Sequence, residues 1–276
     1  MHGADSAYLR YQYADSEKLR IRIQSHELYS ERRAAQSDFQ GWVISHLGLT
    51  PGQTLLDLGS GPGTYHHRLR QYGVQILAID ASLGMLREAR QQALDEHIVV
   101  WPIQADLQAL PFASSVADCA MANHVFFYVP DQARALSEIR RVVKPGGRVV
   151  ITTNAASNGQ RLKELHHWAA GEAGYTPITP VGDRFTLDDL PLMRSVFPDA
   201  ELDVLPNSFV FPTADAALRY FASGFVDQIA EWQLDRAHHA RIIPLVQSRL
   251  EEIIAREGVF RDDKTVGCFV ATMPAE

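Results

Sequence analysis

The chain has 276 residues, of which 46% are hydrophobic and 21% are charged, and 26 Lys+Arg against 33 Asp+Glu give a formal net charge of −7. These are the values of an ordinary globular protein, and they exclude a disordered, collagen-like or coiled-coil chain. Because phosphate backbones are held largely by Lys and Arg, the acidic balance also argues against nucleic acid as the main partner. The length suits one large domain, or one domain with an elaborated cap.

The cysteines and the lack of long apolar segments predict the cellular compartment. Cys119 and Cys268 lie in apolar, strand-like segments and are too few for a disulfide framework, so we expect two reduced, buried thiols. The N-terminal residues have no apolar region typical of a signal peptide, and no run approaches the roughly 18 apolar residues of a membrane span. The sequence therefore predicts a cytoplasmic protein without a membrane partner.

The N-terminal part of the chain, residues 1–50, is polar and helix-like. Leu19, Ile23 and Leu28 predict one amphipathic helix, and residues 39–47 predict a second. We expect these helices to form a cap.

From Gln53 onward, short apolar runs alternate with helix-like segments. This alternation is typical of a parallel sheet with helices on both faces, the doubly wound α/β arrangement. The predicted strands cover 54–58, 74–79, 98–103, 116–123 and 148–153. The predicted helices lie between them, up to Tyr72, over 82–93 and over 131–143.

After Thr153 the alternation loosens. Thr186 is predicted to cap a helix, with Asp189 at the third helical position. Other predicted elements are a helix over 159–172, a loop over 174–183, strands over 201–211 and 265–273, and helices over 214–234 and 238–257. The last of these helices contains Pro244, where we expect it to be disturbed or to begin.

These elements predict a single α/β domain with a doubly wound, mostly parallel, seven-stranded sheet. It would carry a helical N-terminal cap and a helical insertion before the last strand. The predicted parts are the cap over 1–50, the ligand-binding core over 51–154, the rest of the core over 155–212 and 261–276, and a helical lid over 213–260.

A glycine-rich loop, Asp57-Leu58-Gly59-Ser60-Gly61-Pro62-Gly63, follows the first predicted strand. Glycines let a backbone turn tightly beside a ligand, and in doubly wound folds ligands bind at the carboxyl ends of the strands. The second strand ends at Asp80, which is well placed to accept hydrogen bonds from ribose hydroxyls. The dinucleotide pattern would need a glycine at Thr64, and Asp57 would repel a pyrophosphate. The spacing therefore favours a cationic, amino-acid-bearing nucleoside.

Further motifs accompany this loop in a familiar order and spacing across 55–153. They are Ala105-Asp106-Leu107, then Leu110-Pro111-Phe112, and the helix stop Val142-Val143-Lys144-Pro145-Gly146-Gly147. Together they resemble the class I S-adenosylmethionine-dependent methyltransferases. The text around Tyr13 and Arg22 resembles a bacterial branch with small-molecule substrates. The resemblance implies the Rossmann-like methyltransferase fold, S-adenosylmethionine as cofactor and S-adenosylhomocysteine as product.

The resemblance also implies the cofactor-binding residues. Asp57 would lie near the ligand ammonium, Asp80 at the ribose hydroxyls and Asp106 at the adenine amine. For Asp106 a helix-start cap, and for Met85 an ordinary core position, stay open as alternatives. The full predicted set is Tyr13, Arg22, Asp57, Gly59, Ser60, Gly61, Gly63, Asp80, Ala81, Met85, Ala105, Asp106, Leu107 and Asn123.

His124 and Tyr128 follow the fourth predicted strand, where the acceptor atom is expected. His124 titrates in the range of a general base, which is needed only if the nucleophile must lose a proton, and Tyr128 would orient it or the ligand. Packing in an apolar wall is the alternative for His124. We expect methyl transfer to an O, N or C atom of a small organic acceptor, by a monomer or homodimer. An RNA-directed methyltransferase, an NAD(P)-dependent oxidoreductase and a non-catalytic cofactor-binding subunit are the rival interpretations.

Three adjacent histidine pairs invite a metal hypothesis: His66-His67, His166-His167 and His238-His239. Neighbours on a helix point about 100° apart, so such a pair makes a poor bidentate site. The cysteines and histidines also lack the spacing of a zinc site. The sequence therefore predicts no metal site.

Overall fold

The seven strands of the sheet arise from the short apolar runs, and the doubly wound α/β prediction is confirmed. The structure is a computed structural model, and it describes residues 17–31, 38–178, 184–232 and 236–274. In the described residues the strands are β1 Thr54–Leu58, β2 Gln75–Asp80, β3 Val100–Gln104, β4 Ala117–Asn123, β5 Val143–Asn154, β6 Glu201–Phe211 and β7 Phe260–Thr272.

The strand order is β3-β2-β1-β4-β5-β7-β6. The first five strands pair in parallel, and β7 runs antiparallel to β5. Four of the five residues of β1 are buried, as are five of the seven residues of β4. Strands covered on both faces are expected to be apolar throughout, which explains why these runs lack alternation. The order reverses between β2-β1 and β4, and ligands bind at such a switch point in this fold class.

Nine α-helices are described. They are α1 Glu17–Tyr29, α2 Phe39–Ser45, α3 His66–Leu69, α4 Leu83–Asp95, α5 Gln132–Val142, α6 Gln160–Glu172, α7 Leu190–Val196, α8 Ala214–Ala222 and α9 Ala237–Glu257. Among the described residues, 3-10 turns cover Arg70–Tyr72, Phe126–Tyr128 and Leu187–Asp189.

Side-chain caps set several helix starts. The predicted capping box is confirmed: Thr186 accepts from the first turn of the Leu187–Asp189 segment, and the Asp189 carboxylate accepts from the Thr186 amide at 2.7 Å. Ser82 caps α4 by accepting from the Met85 amide at 3.3 Å. Such caps satisfy backbone donors that have no partner within the helix.

Several boundaries differ from the sequence prediction. Strand β5 begins at Val143 rather than 148, so most of the predicted helix stop over 142–147 lies in the strand. Helix α8 ends at Ala222. Beyond it, Ser223-Gly224 favours a tighter 3-10-type turn, in which the Gly224 amide donates to the Phe221 carbonyl. Helix α9 continues through Pro244, supported by a buried apolar face. Strand β7 begins at Phe260 rather than 265, since its inward face there carries polar side chains that hide the strand pattern.

The chain forms two compact units. The first comprises Met1–Arg33, Ala155–Arg184 and Pro206–Thr265, and the second comprises Ala34–Asn154, Phe185–Leu205 and Val266–Glu276. An aromatic-rich core, which includes Phe209, Phe211 and Phe221, fills the first unit. The core of the second unit includes Leu55 and both cysteines, which are free and buried as predicted. None of the helices in the described part of the chain combines the length and the apolar character that crossing a bilayer requires.

Candidate functional site

The glycine loop after β1 has a backbone that only glycine adopts easily. Gly59, Gly61 and Gly63 have φ angles of 69°, 54° and 84°. This left-handed region strains residues that carry a Cβ. A Cβ on Gly59 would also lie 2.4 Å from Cγ2 of Val125, and a Cβ on Gly63 would lie 2.4 Å from Nδ1 of His66. The glycines are therefore needed both for the turn and for the close packing around it.

Asp80, at the end of β2, joins that strand to the glycine loop. Its Oδ2 accepts from the Gly61 amide at 2.9 Å, and its Oδ1 accepts from the Ser82 amide at 2.7 Å. Burial raises the pKa of the Asp80 carboxyl, although the hydrogen bonds from Ser82 and Gly61 oppose the shift. A carboxylate oxygen accepts two hydrogen bonds, so each oxygen keeps capacity for a further donor.

The loop amides donate within the protein. Gly59 and Ser60 donate to the Ile79 carbonyl at 2.7 and 3.0 Å, and Gly63 donates to the Ser60 carbonyl at 3.1 Å. A phosphate-binding loop instead points such amides at the anion. The loop amides therefore stabilise the loop itself and hold the Asp80 carboxylate.

Asp57 has a protein partner that the sequence analysis did not single out. Its Oδ2 lies 3.1 Å from Nε2 of His66, and both side chains are buried. The adjacent His67 points elsewhere, to Glu96 at 2.8 Å. A histidine in a short helix after the loop gives no recognisable spacing, so only the folded chain reveals this pair. The place of Asp57 beside a ligand ammonium stays a prediction.

The end of β3 is attached to the end of β2 by the Ala105 amide, which donates to the Asp80 carbonyl at 3.1 Å. Asp106 then forms a local turn, accepting from the Gln108 amide at 2.8 Å. Among the described residues no helix starts at Asp106, so the helix-cap alternative is not met, and its exposed carboxylate is held in place by the turn. Leu107 beside it is buried.

Two polar atoms near the carboxyl ends of β1 and β4 are buried without a partner. Asn123 accepts from the Thr152 hydroxyl at 3.1 Å through its Oδ1, which leaves its Nδ2 as a donor. Nδ2 of Asn123 and Oγ of Ser60 have no hydrogen-bond partner among the residues that the structure describes. Because buried polar groups are nearly always paired, these two atoms make this edge of the sheet a candidate ligand site.

His124 follows Asn123 in a strained backbone conformation. Its φ is 51°, and its amide donates to the Thr152 carbonyl at 3.1 Å. Its ring centroid lies 5.8 Å from that of Phe39. Strained non-glycine residues are enriched at functional sites. Tyr128 ends the 3-10 turn that follows, with its ring 4.6 Å from the ring of Phe127.

Known proteins match the segment that carries this site. Residues 56–151 match the family described as methyltransferase domain. Over 148 residues the chain is 35% identical to a malonyl-acyl carrier protein O-methyltransferase of Pseudescherichia vulneris, which covers 53% of this chain and 55% of that protein. The match to the methyltransferase domain family covers less than half of the chain. The chain spans about half the length of the curated relatives that it matches.

Solved structures share the fold of the methyltransferase domain and of the segments around it. The (4+2)-cyclase SpnF has a TM-score of 0.60 and 19% identity, covering 99% of this chain and 97% of that one. Phosphoethanolamine N-methyltransferase 2 of Haemonchus contortus, in complex with phosphomonomethylethanolamine and S-adenosylhomocysteine, has a TM-score of 0.58 and 19% identity. It covers 96% of this chain and 58% of that chain. The Rossmann-like methyltransferase fold predicted from the sequence is confirmed.

The remaining predicted residues lie in different places. Within the methyltransferase domain, Met85 is buried on α4, and the Ala81 carbonyl accepts from the Gln104 side chain at 3.0 Å. Arg22 lies on α1, in the first compact unit. Tyr13 lies outside the described residues.

Proposed function

We propose that this chain transfers a methyl group from S-adenosylmethionine to an O, N or C atom of a small organic acceptor, without a metal ion. The observation that carries this proposal is the edge of the sheet where Asp80 meets the left-handed glycine loop. There Ser60 Oγ and Asn123 Nδ2 are buried, and neither has a hydrogen-bond partner among the described residues. The methyltransferase domain family and the relatives that methylate O and N atoms support this proposal.

The residues at this edge fit the proposed cofactor. The Asp80 oxygens, held by two amides, have remaining lone pairs for the ribose hydroxyls. Ser60 and Asn123 supply the polar atoms that lack partners in the described part of the chain. The turn at Asp106 would present a carboxylate to the adenine amine. The glycines would border the methionine and ribose parts of the ligand.

The charges at the site favour a cationic ligand over a dinucleotide. Asp57 and Asp80 place two carboxyl groups around the loop, and the pyrophosphate of NAD(P) would be repelled there. In addition, the amides of Gly59, Ser60 and Gly61 already donate to Ile79 and Asp80, so they are not directed at an anion. These contacts support the methyltransferase proposal over the oxidoreductase rival.

The bound cofactor supplies a methyl group that its sulfonium makes electrophilic, so the protein's task is mainly to position the acceptor and exclude water. His124 would accept a proton from an acceptor that must lose one. Its backbone is held by the hydrogen bonds of its amide to Thr152 at 3.1 and 3.2 Å. Tyr128 would orient the acceptor or His124. The relatives' names support small-molecule acceptors, and a monomer or homodimer without nucleic acid stays a prediction.

Calorimetry with S-adenosylhomocysteine and with NADH tests the cofactor assignment. We expect saturable binding of S-adenosylhomocysteine and none of NADH; tight binding of NADH alone would contradict the proposal. Release of S-adenosylhomocysteine in the presence of candidate acceptors then tests methyl transfer. The two buried, free thiols support a reducing compartment such as the cytoplasm as the place of action.

A further inference from the structure

Three potential metal ligands meet in the first compact unit. Asp227 lies in the turn after α8, and His238 and His239 lie at the start of α9. Oδ1 of Asp227 lies 3.0 Å from Nε2 of His238 and 2.7 Å from Nε2 of His239. One ligand atom of each side chain lies within 4.8 Å of the other two.

Adjacent histidines on a helix are expected to make a poor bidentate site, yet His238 and His239 both reach Oδ1 of Asp227. The pair His66-His67 behaves as expected, because its rings contact Asp57 and Glu96 respectively. At the start of α9, Asp227 lies where both rings reach it. The rings of His238 and His239 meet nearly edge to face, with centroids 4.7 Å apart and an interplanar angle of 77°. Two imidazoles therefore approach one oxygen from different directions.

The surroundings of Asp227 suit a carboxylate ligand. Its Oδ1 faces both imidazoles, and its Oδ2 lies 2.8 Å from Nζ of Lys18. Asp227 and His238 are fully or almost fully buried, whereas the side chain of His239 is 20% exposed, which leaves the cluster a route to solvent.

The distances also suit a shared ion. A metal with bonds of about 2.0–2.2 Å to nitrogen and oxygen separates neighbouring ligand atoms by roughly 3 Å. The observed separations from Asp227 Oδ1 are 2.7 and 3.0 Å. The Nε2 protons that now bridge the rings to the carboxylate would move to Nδ1 in neutral imidazoles, which leaves each Nε2 as a ligand.

We propose that Asp227, His238 and His239 bind one divalent first-row transition metal ion of the zinc type, with a further coordination position open. Two imidazole nitrogens and one carboxylate oxygen form a donor set that such ions prefer, whereas Mg²⁺ and Ca²⁺ prefer oxygen ligands. The ion would tie the turn at Asp227 to the start of α9. This inference is independent of the proposed methyl transfer.

Lys18 and Arg236 set the strength of this site. Nζ of Lys18 lies 2.8 Å from Oδ2 of Asp227, so it occupies the oxygen that the ion does not need. The positive charges of Lys18 and Arg236 oppose the binding of a cation at the cluster. Arg236 is close enough to interact electrostatically with Lys18. Removing the Lys18 charge should therefore strengthen metal binding.

The test uses the full chain without an affinity tag. Zn²⁺ is titrated by calorimetry, and Co²⁺ is titrated by visible absorption, which reports its coordination. We expect one saturable site, at least about 100-fold weaker in His239→Gln, since even outer partners of metal ligands contribute 10- to 100-fold. His167→Gln, an exposed member of another adjacent pair, is the matched control and should bind like the wild type. Absence of a saturable site, or equal affinity in His239→Gln, would overturn the proposal.

A further measurement separates a metal site from a hydrogen-bonded cluster, and circular dichroism establishes that each variant is folded. Lys18→Gln should raise Zn²⁺ affinity, by roughly tenfold or more for a charge at this range. Unchanged or lower affinity in Lys18→Gln would contradict the assignment.

Discussion

The Asp80→Ala substitution tests the cofactor site most directly. In the structure the Asp80 carboxylate accepts from the Gly61 amide at 2.9 Å and from the Ser82 amide at 2.7 Å. On our proposal it also accepts from the ribose hydroxyls of the cofactor. Alanine removes all of these acceptors without adding a group that fills their place.

The expected loss follows from stranding hydrogen-bond donors at a partly buried site. Such a loss costs about 1–3 kcal/mol, and since about 1.4 kcal/mol corresponds to tenfold, S-adenosylhomocysteine should bind roughly 5- to 150-fold more weakly. The free energy of unfolding should change less than the free energy of cofactor binding. Because burial raises the pKa of Asp80 despite its hydrogen bonds, its surroundings disfavour the ionised carboxyl, and removing that carboxyl relieves this cost.

The pH dependence gives a second measurement. Since the pKa of Asp80 is raised, the wild type should lose cofactor affinity as the pH falls through a value above the usual 3.9 or so of aspartate. The Asp80→Ala variant should lack this dependence. Calorimetry with S-adenosylhomocysteine at several pH values measures both effects.

Ser82→Ala is the matched control for Asp80→Ala. It removes the cap that the Ser82 hydroxyl forms with the Met85 amide but keeps the Ser82 amide that holds Asp80. It should cost about 0.5–2 kcal/mol of stability with near-normal cofactor affinity. Unchanged affinity in Asp80→Ala would refute the ribose role.

Three other predictions follow from single side chains. Gly59→Ala should lower the free energy of unfolding by roughly 2–4 kcal/mol in urea titrations, from the left-handed backbone and the contact with Val125. His124→Ala should reduce turnover by about 10²–10⁴-fold with nearly intact cofactor affinity, if the acceptor loses a proton in the reaction. Burial lowers the pKa of Lys264 to about 7, so the wild type should gain about 1.4 kcal/mol of stability per pH unit between about pH 7 and pH 10. In Lys264→Met this gain should be absent.

Each of these three predictions has a control variant or a result that would contradict it. Gly146→Ala adds a Cβ at a φ of 75° with nothing within 4 Å, so it should cost only the backbone strain of about 1–2 kcal/mol. Equal losses at Gly59 and Gly146 would show that the contact with Val125 is unimportant. Full turnover of His124→Ala at all pH values would exclude His124 as a base. Parallel stability curves for wild type and Lys264→Met would mean that Lys264 stays charged when folded.

Several elements were predictable because their signals are local. The glycine loop requires left-handed backbone at three positions, and the Thr186–Asp189 capping box lies within four residues. The first half of β7 was missed because Asp262 and Lys264 occupy its inward face, where apolar residues are expected. Their burial depends on partners distant in sequence, such as His26 for Lys264.

By itself, the sequence determined the doubly wound fold, the methyltransferase loop and the position of Asp80 at a strand end. Those features follow from backbone preferences and hydrophobic period, which act over a few residues. Only the tertiary structure decided that Asp57 pairs with His66, that His238 and His239 share Asp227, and that Nδ2 of Asn123 finds no partner in the described part of the chain. The partner of a buried polar group is chosen by whichever segments the fold brings together, and no local pattern specifies that choice.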